Sequence, residues 1–298
     1  SGTVTIYDGD DPDMPMWMVF NGNAGIIYYT HAISSVTMLN GILAIGRPVS
    51  YGVGLTNFVS DSSQNIRNHF GTYTYNGSIV DRNASKGSNL VAINPLVNGN
   101  ANDVAMTVLP NAPIDADTGL PVPTIAVATA GGVSVIKDDG TVVDIVSSYL
   151  GHETPMQVRF IGDKVFWLGQ NNYDNGWSSA FTAKIPSADL SVNYNTGVGS
   201  LTKYSSFEWG NASSNGSDIS IPIAMNSPRT SVLLEAGKND ELIFGGKGAD
   251  DHGTVVKVVE NVSNPESGMI AQIASDYNTG YQVGDIKLAT LSDTDTTN

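Results

Sequence analysis

Residues 122–145 read VPTIAVATAGGVSVIKDDGTVVDI: two alternating apolar stretches joined at Gly131-Gly132, then a third after Asp138-Asp139-Gly140. Alternation over four to eight residues marks a strand, and Gly-Gly or Asp-Gly between such runs marks a tight turn. The segment therefore predicts a three-stranded meander. What decides the fold is whether this meander stands alone or is one copy of a repeated unit.

The rest of the chain favours repetition. Residues 106–137 (MTVLPNAPIDADTGLPVPTIAVATAGGVSVIK) and 4–30 (VTIYDGDDPDMPMWMVFNGNAGIIYYT) share one order of parts: a strand, an Asp/Pro-rich insertion, a second strand, a glycine turn and a third strand. Other copies keep the hairpin without the insertion. Residues 35–61 turn first at Asn40-Gly41, a strong hairpin signal because both central residues of a type I′ turn need positive φ. Residues 157–185 turn at Gly162-Asp163 and residues 231–260 at Lys238-Asn239-Asp240. A sixth hairpin is expected at 269–291, whose loop SDYNTGY matches NNYDNGW at 171–177.

The second strands of these units centre near Trp17, Leu43, Val127, Phe166, Ile243 and Ala271. Six units in 298 residues average about 50 residues each, the size of a propeller blade. No stretch carries a helical apolar period over helical length. The expected fold is all-β, a single β-propeller domain over 1–298 with about six blades, five or seven being the neighbouring solutions. Strands at the two ends, TVTIYD (3–8) and DIKLATL (285–291), would close the ring. The alternative is a β-sandwich, which the same turn signals fit. The Trp and Phe of MWMVF (16–20) and VFWLGQ (165–170) are expected to fill the space between blades.

Composition agrees with strands. Charged residues make up 14%, and Gly, Asn, Ser and Thr, which suit turns and strand surfaces, take their place. A formal net charge of -15 repels a phosphate backbone, which argues against nucleic acid as partner. With no cysteine there is no disulfide framework and no thiolate metal site. No apolar run reaches the roughly 20 residues that span a bilayer, so a membrane is not an expected partner. The polar end LSDTDTTN (291–298) reads as the start of a linker, and a domain excised from a longer chain is the expectation.

Residues 102–145 and 265–296, and more weakly 11–61, resemble repeat regions of large virion proteins of marine bacteriophages, where such a region precedes lectin-like modules. The resemblance implies a place, an extracellular tail or fibre component of a phage particle, and a task, contact with a host-surface glycan or a neighbouring virion protein. Homo-oligomers are common among such appendages. The resemblance carries no catalytic signature.

In a propeller blade with strands a to d running outward, the b–c loops and d–a connections share one face, and the a–b turns lie on the other. That map gathers Tyr51, Tyr173, Asp174, Trp177, Asp276, Tyr277 and Tyr281 on one face. Tyr and Trp stack on sugar rings while Asp and Asn bond their hydroxyls, so this set is the expected carbohydrate-binding surface, with Trp177 and Tyr281 in matching loops. On the other face Asp8, Asp10, Asp11 and Asp13, and Asp115 with Asp117, are candidate calcium ligands, although neither loop has EF-hand spacing. No cofactor is required.

A glycoside hydrolase or polysaccharide depolymerase is the alternative function. It needs two carboxyls about 5 to 9.5 Å apart, for which Asp174, Glu208, Asp250, Asp251 and Asp276 are candidates in the central funnel. There is no G-x-S-x-G elbow, no zinc-type pairing among His31, His69, His152 and His252, and no phosphate-binding glycine loop. A non-catalytic binding module is the preferred expectation.

Overall fold

In the computed structural model the chain is all-β. It describes residues 2–21, 25–27, 32–68, 71–92, 95–116, 119–147, 154–170 and 178–192, and, through strand pairing, 201–206, 218–221, 233–236, 241–247, 253–259 and 269–274. Among these residues there is no α-helix, only two short 3-10 turns, and no helix long and apolar enough to cross a membrane.

The described strands form five sheets. First comes the antiparallel pair β1 (Thr3–Tyr7) and β2 (Met16–Asn21). A six-stranded meander follows: β3 (Ser35–Leu39), β4 (Ile42–Arg47), β5 (Gly52–Asn57), β6 (Ser62–Ile66), β7 (Thr72–Tyr75) and β8 (Ser88–Ala92). The third sheet is the meander β9 (Ala101–Thr107), β10 (Thr124–Thr129), β11 (Gly132–Ile136) and β12 (Val142–Ser147). The fourth holds β13 (Thr154–Ile161), β14 (Lys164–Gln170) and β15 (Ser178–Lys184). From there the chain leaves briefly as β16 (Leu190–Val192), which adds in parallel to the outer edge of β12. It returns as β17 (Leu201–Ser206) and β18 (Asp218–Ile221). The fifth sheet is β19 (Leu233–Ala236), β20 (Glu241–Lys247), β21 (Gly253–Val259) and β22 (Met269–Ala274).

The meander read from residues 122–145 is β10-β11-β12, with Thr129 opposite Gly132 across the first turn. Asn40 and Gly41 both take positive φ, 48° and 74°, as the type I′ turn requires. Gly52, at φ 65°, opens β5 where a Cβ would run into the carbonyl oxygen of Ile66. One expectation is corrected. The hairpin placed at 269–291 does not begin a sixth sheet, because its first strand, β22, pairs with β21 as the fourth strand of the fifth sheet. An outer strand and an opening strand share the same two-residue period, so the pattern alone does not tell them apart.

The sheets stack in chain order. β9 packs on β3, β4 and β5, β13 packs on β9, β10 and β11, and β19 lies against β13. Alternation divides β10 between two interfaces. Ile125 and Val127 join Val53, Leu55 and Ile66 of the preceding sheet, while Ala126 and Ala128 join Val158, Phe160, Trp167 and Phe181 of the following one. β4 behaves in the same way, with Ala44 on one side and Leu43 and Ile45 against Val4 and Phe20 on the other. A sandwich sheet buries one face; these two sheets bury both, as consecutive blades do. The b–c turns at Ser50 and Ala130 both bond the connection at Gly99–Asn100, by Ser50 N–H to Asn100 Oδ1 (2.6 Å), Gly52 N–H to Gly99 O (2.7 Å) and Ala130 N–H to Asn100 O (3.0 Å). On the opposite end, the Asn40 side chain of an a–b turn donates to Pro121 O (2.7 Å) in the neighbouring a–b insertion. Both pairings follow the blade map. The segment that would close a ring, 285–291, lies outside the described residues.

Of the aromatics expected between sheets, Trp167, Phe166 and Phe20 are fully buried, and Trp167 stacks on Phe181 at 5.5 Å. Trp17 is not: it is 56% exposed and rests on Phe58, because Phe20 occupies the inward position of β2. Replacing Trp167 by Ala should cost about 3–5 kcal/mol of folding free energy. The same change at Trp17 should cost less than about 1.5 kcal/mol; urea unfolding of both variants checks the contrast.

Candidate functional site

Beyond its fourth strand the second sheet adds β7 and β8, and there the chain forms a cleft of about 300 Å³. β6 contributes Ser63, Gln64 and Asn65, the residue after it is Arg67, and β7 contributes Tyr73 and Tyr75. The sequence TYTY (72–75) explains the pair of rings: residues two apart on a strand share a face. Asn65 lies opposite Tyr73 in the register of β6 and β7. Gly25, Ile26, Ser85, Lys86, Gly87 and Ser88 complete the lining.

The walls are fixed by hydrogen bonds. Ile26 N–H donates to Arg82 O (2.9 Å), and a Cβ on Gly25 would collide with that same oxygen, so only glycine lets the two segments approach. Arg82 Nε donates to Val19 O (2.8 Å), and Asn83 exchanges bonds with Val19 and Asn21, tying the cleft wall to β2. The Tyr75 hydroxyl sits 2.7 Å from the carbonyl oxygens of both Asp81 and Ala84. Burial, reinforced by the Asp81 charge, pushes its pKa above the usual phenol value. It is held as a neutral donor. Asp81 also pairs with Lys86 at 3.3 Å.

Arg67 lies with its guanidinium carbon 4.7 Å from the Tyr73 ring centre and 5.8 Å from that of Tyr51. A guanidinium over aromatic rings is held flat and oriented. The buried carboxamide oxygen of Asn65 has no hydrogen-bond partner among the described residues. The cleft thus offers aromatic faces, amides, hydroxyls and two cations. No carboxylate or imidazole is among its described lining residues.

Of the residues expected to bind carbohydrate, Tyr51 is described, half-buried in the b–c turn before β5, where it backs Arg67. Tyr173, Asp174, Trp177, Asp276, Tyr277 and Tyr281 lie outside the described residues, as do Glu208, Asp250, Asp251 and all four histidines. Asp8 and Asp11 each accept a backbone N–H two residues on, from Asp10 (3.1 Å) and Asp13 (2.9 Å), as turn-forming aspartates do. Asp115 sits in the a–b insertion, its N–H bonded to Leu120 O, and Asp117 lies outside the described residues. Among the described residues no three acidic or histidine side chains converge where a metal could sit. Arg67, Tyr73, Tyr75 and Lys86 are absent from the expected set because the blade map directs attention to loops near the axis, and this cleft is built on outer strands.

Away from the cleft, Asp144 on β12 accepts from Ser134 Oγ (2.6 Å), and its own N–H donates to Asp189 Oδ1 (3.0 Å). Burial raises its pKa, the Ser134 bond opposes, and the Asp189 charge adds to the rise. No known protein family matches the chain, and no curated protein does.

A raised folded pKa means the fold prefers protonated Asp144. The stability it contributes is complete below the unfolded value and is lost as pH rises through the folded one. Asp144→Asn removes that loss. Its melting temperature relative to wild type should be higher at pH 7 than near pH 3.5, as thermal unfolding at the two pH values would show.

Proposed function

We propose that the chain is a non-catalytic binding module, a propeller-type scaffold whose cleft beside β7 takes a saccharide. The carrying observation is the composition of the cleft: Tyr73 and Tyr75 on one strand face, Asn65 opposite, Gln64 and Ser88 at the rim, with no carboxylate or imidazole among the described lining. Sugars need apolar faces for stacking and fixed donors and acceptors for hydroxyls, and both are present on rigid strands. The resemblance to phage virion proteins makes the extracellular surface of a particle the setting and a host-surface glycan the ligand. A neighbouring virion protein, seated on a propeller face, is the other contact this setting offers.

On a glycan array the wild-type protein should bind a restricted set of oligosaccharides. Tyr73→Ala should weaken the best of them by about tenfold, roughly 1.4 kcal/mol, while Tyr73→Phe keeps most of the affinity. An array without binders, or binding indifferent to Tyr73→Ala, would count against the cleft as a saccharide site.

A further inference from the structure

We infer that the saccharide taken by this cleft is anionic, carrying a carboxylate or sulfate that sits against Arg67; the inference rests on the saccharide reading above. The chain has 14 Lys and Arg among 298 residues and a formal charge of -15. Two of those cations, Arg67 and Lys86, nevertheless line one cleft of about 300 Å³, with no acidic residue among its described lining. A neutral sugar gains nothing from such a concentration. An anionic one requires it, because the field of the whole protein repels negative ligands and only a local positive site overcomes that repulsion.

Arg67 is built for the task. Its backbone is pinned on both sides, the N–H donating to Gly71 O (3.1 Å) and the carbonyl accepting from Leu96 N–H (2.9 Å). Its guanidinium is oriented by Tyr73 and Tyr51. A planar fork so held matches the paired oxygens of a uronate carboxylate or a sulfate ester, and little side-chain entropy is left to lose on binding. Lys86, another residue of the same lining, adds a point charge. Its partner Asp81 is a third exposed and Lys86 nearly half exposed, and in a pair of that kind the ammonium keeps donors for a ligand while it stays beside Asp81.

The test uses an array of uronate-bearing and sulfated oligosaccharides, each printed beside its carboxyl-reduced or desulfated counterpart, followed by titration calorimetry on the best pair at low and high salt. The expected result is a preference of about tenfold or more for the anionic member that shrinks as salt rises. Arg67→Gln should bring the anionic-to-neutral ratio close to one, and Arg67→Lys, which keeps charge without the fork, should restore part of it. Should Arg67→Gln fail to fold, Lys86→Gln, on an exposed side chain, should still lower the ratio. The uronate and sulfate arms distinguish the two anions. Equal affinity for both members, preference for the neutral one, or a ratio unmoved by either substitution would overturn the inference and leave the saccharide reading standing. Binding to none of the sugars would remove both.

Discussion

Asp103 is the residue through which three sheets are joined. It lies on β9, is 9% exposed, and its two carboxylate oxygens take bonds from both neighbouring sheets. Ser35 Oγ of β3 donates to Oδ1 at 2.6 Å; Val158 N–H and Arg159 Nη1 of β13 reach Oδ2 at 3.0 and 2.6 Å. A buried carboxylate persists only where partners replace its water, and here the partners are the opening strands of the sheets before and after. Ser35 then accepts the N–H of Val104 at 3.2 Å, and Ser34 and Asn102 add bonds to Ala101 O and Pro155 O. The opening strands are thereby held in one register by polar bonds where stacked apolar faces alone would allow sliding.

Fixing the inner strands determines what the outer ones can do. The second and third sheets fan out from opening strands whose positions are set, so apolar residues on both of their faces meet a neighbour, and small residues such as Ala126 and Ala128 face the large Trp167 and Phe181 across the gap. Close-packed interfaces of this kind tolerate little change in volume. Outer strands are under no such constraint. β16 uses the freedom to cross into the neighbouring sheet, with Asp189 and Ser187 bonding Asp144 and Lys137, which fastens two sheets at their rims as Asp103 fastens them at their inner edge. β7 and β8 use it to build the cleft.

The parts of the fold written as turns were open to inspection in the sequence. Asn40-Gly41, Gly131-Gly132 and Gly162-Asp163 are local signals, and the hairpins stand where they predict. Order within a sheet is not local, which is why Ala271 could be read as an inner strand when it belongs to an outer one. Trp17 and Trp167 occupy similar apolar strands, and only the neighbouring sheet decides that one is buried and the other exposed. The cleft was legible in part. TYTY states that two rings share a face, but its alignment with Arg67 and Lys86 depends on a register and a returning loop that the sequence does not spell out.

The charge of the molecule and the place of the cleft belong together. Acidic turns such as Asp8–Asp13 and Asp138–Asp139 are spread over exposed loops, where water screens them and each costs the fold little. Near the cleft the acidic groups are occupied locally: Asp61 accepts the N–H of Ile79 at 2.7 Å and Asp81 engages Ser78 and Lys86. A carboxylate committed to a neighbouring N–H or ammonium projects less field into the adjacent space than a free one. The rim of the second sheet therefore carries a patch where aromatic faces and a guanidinium line one cleft against a negative background. That contrast, set up by β7 and the turn at 78–88, separates the cleft from the acidic loops around it.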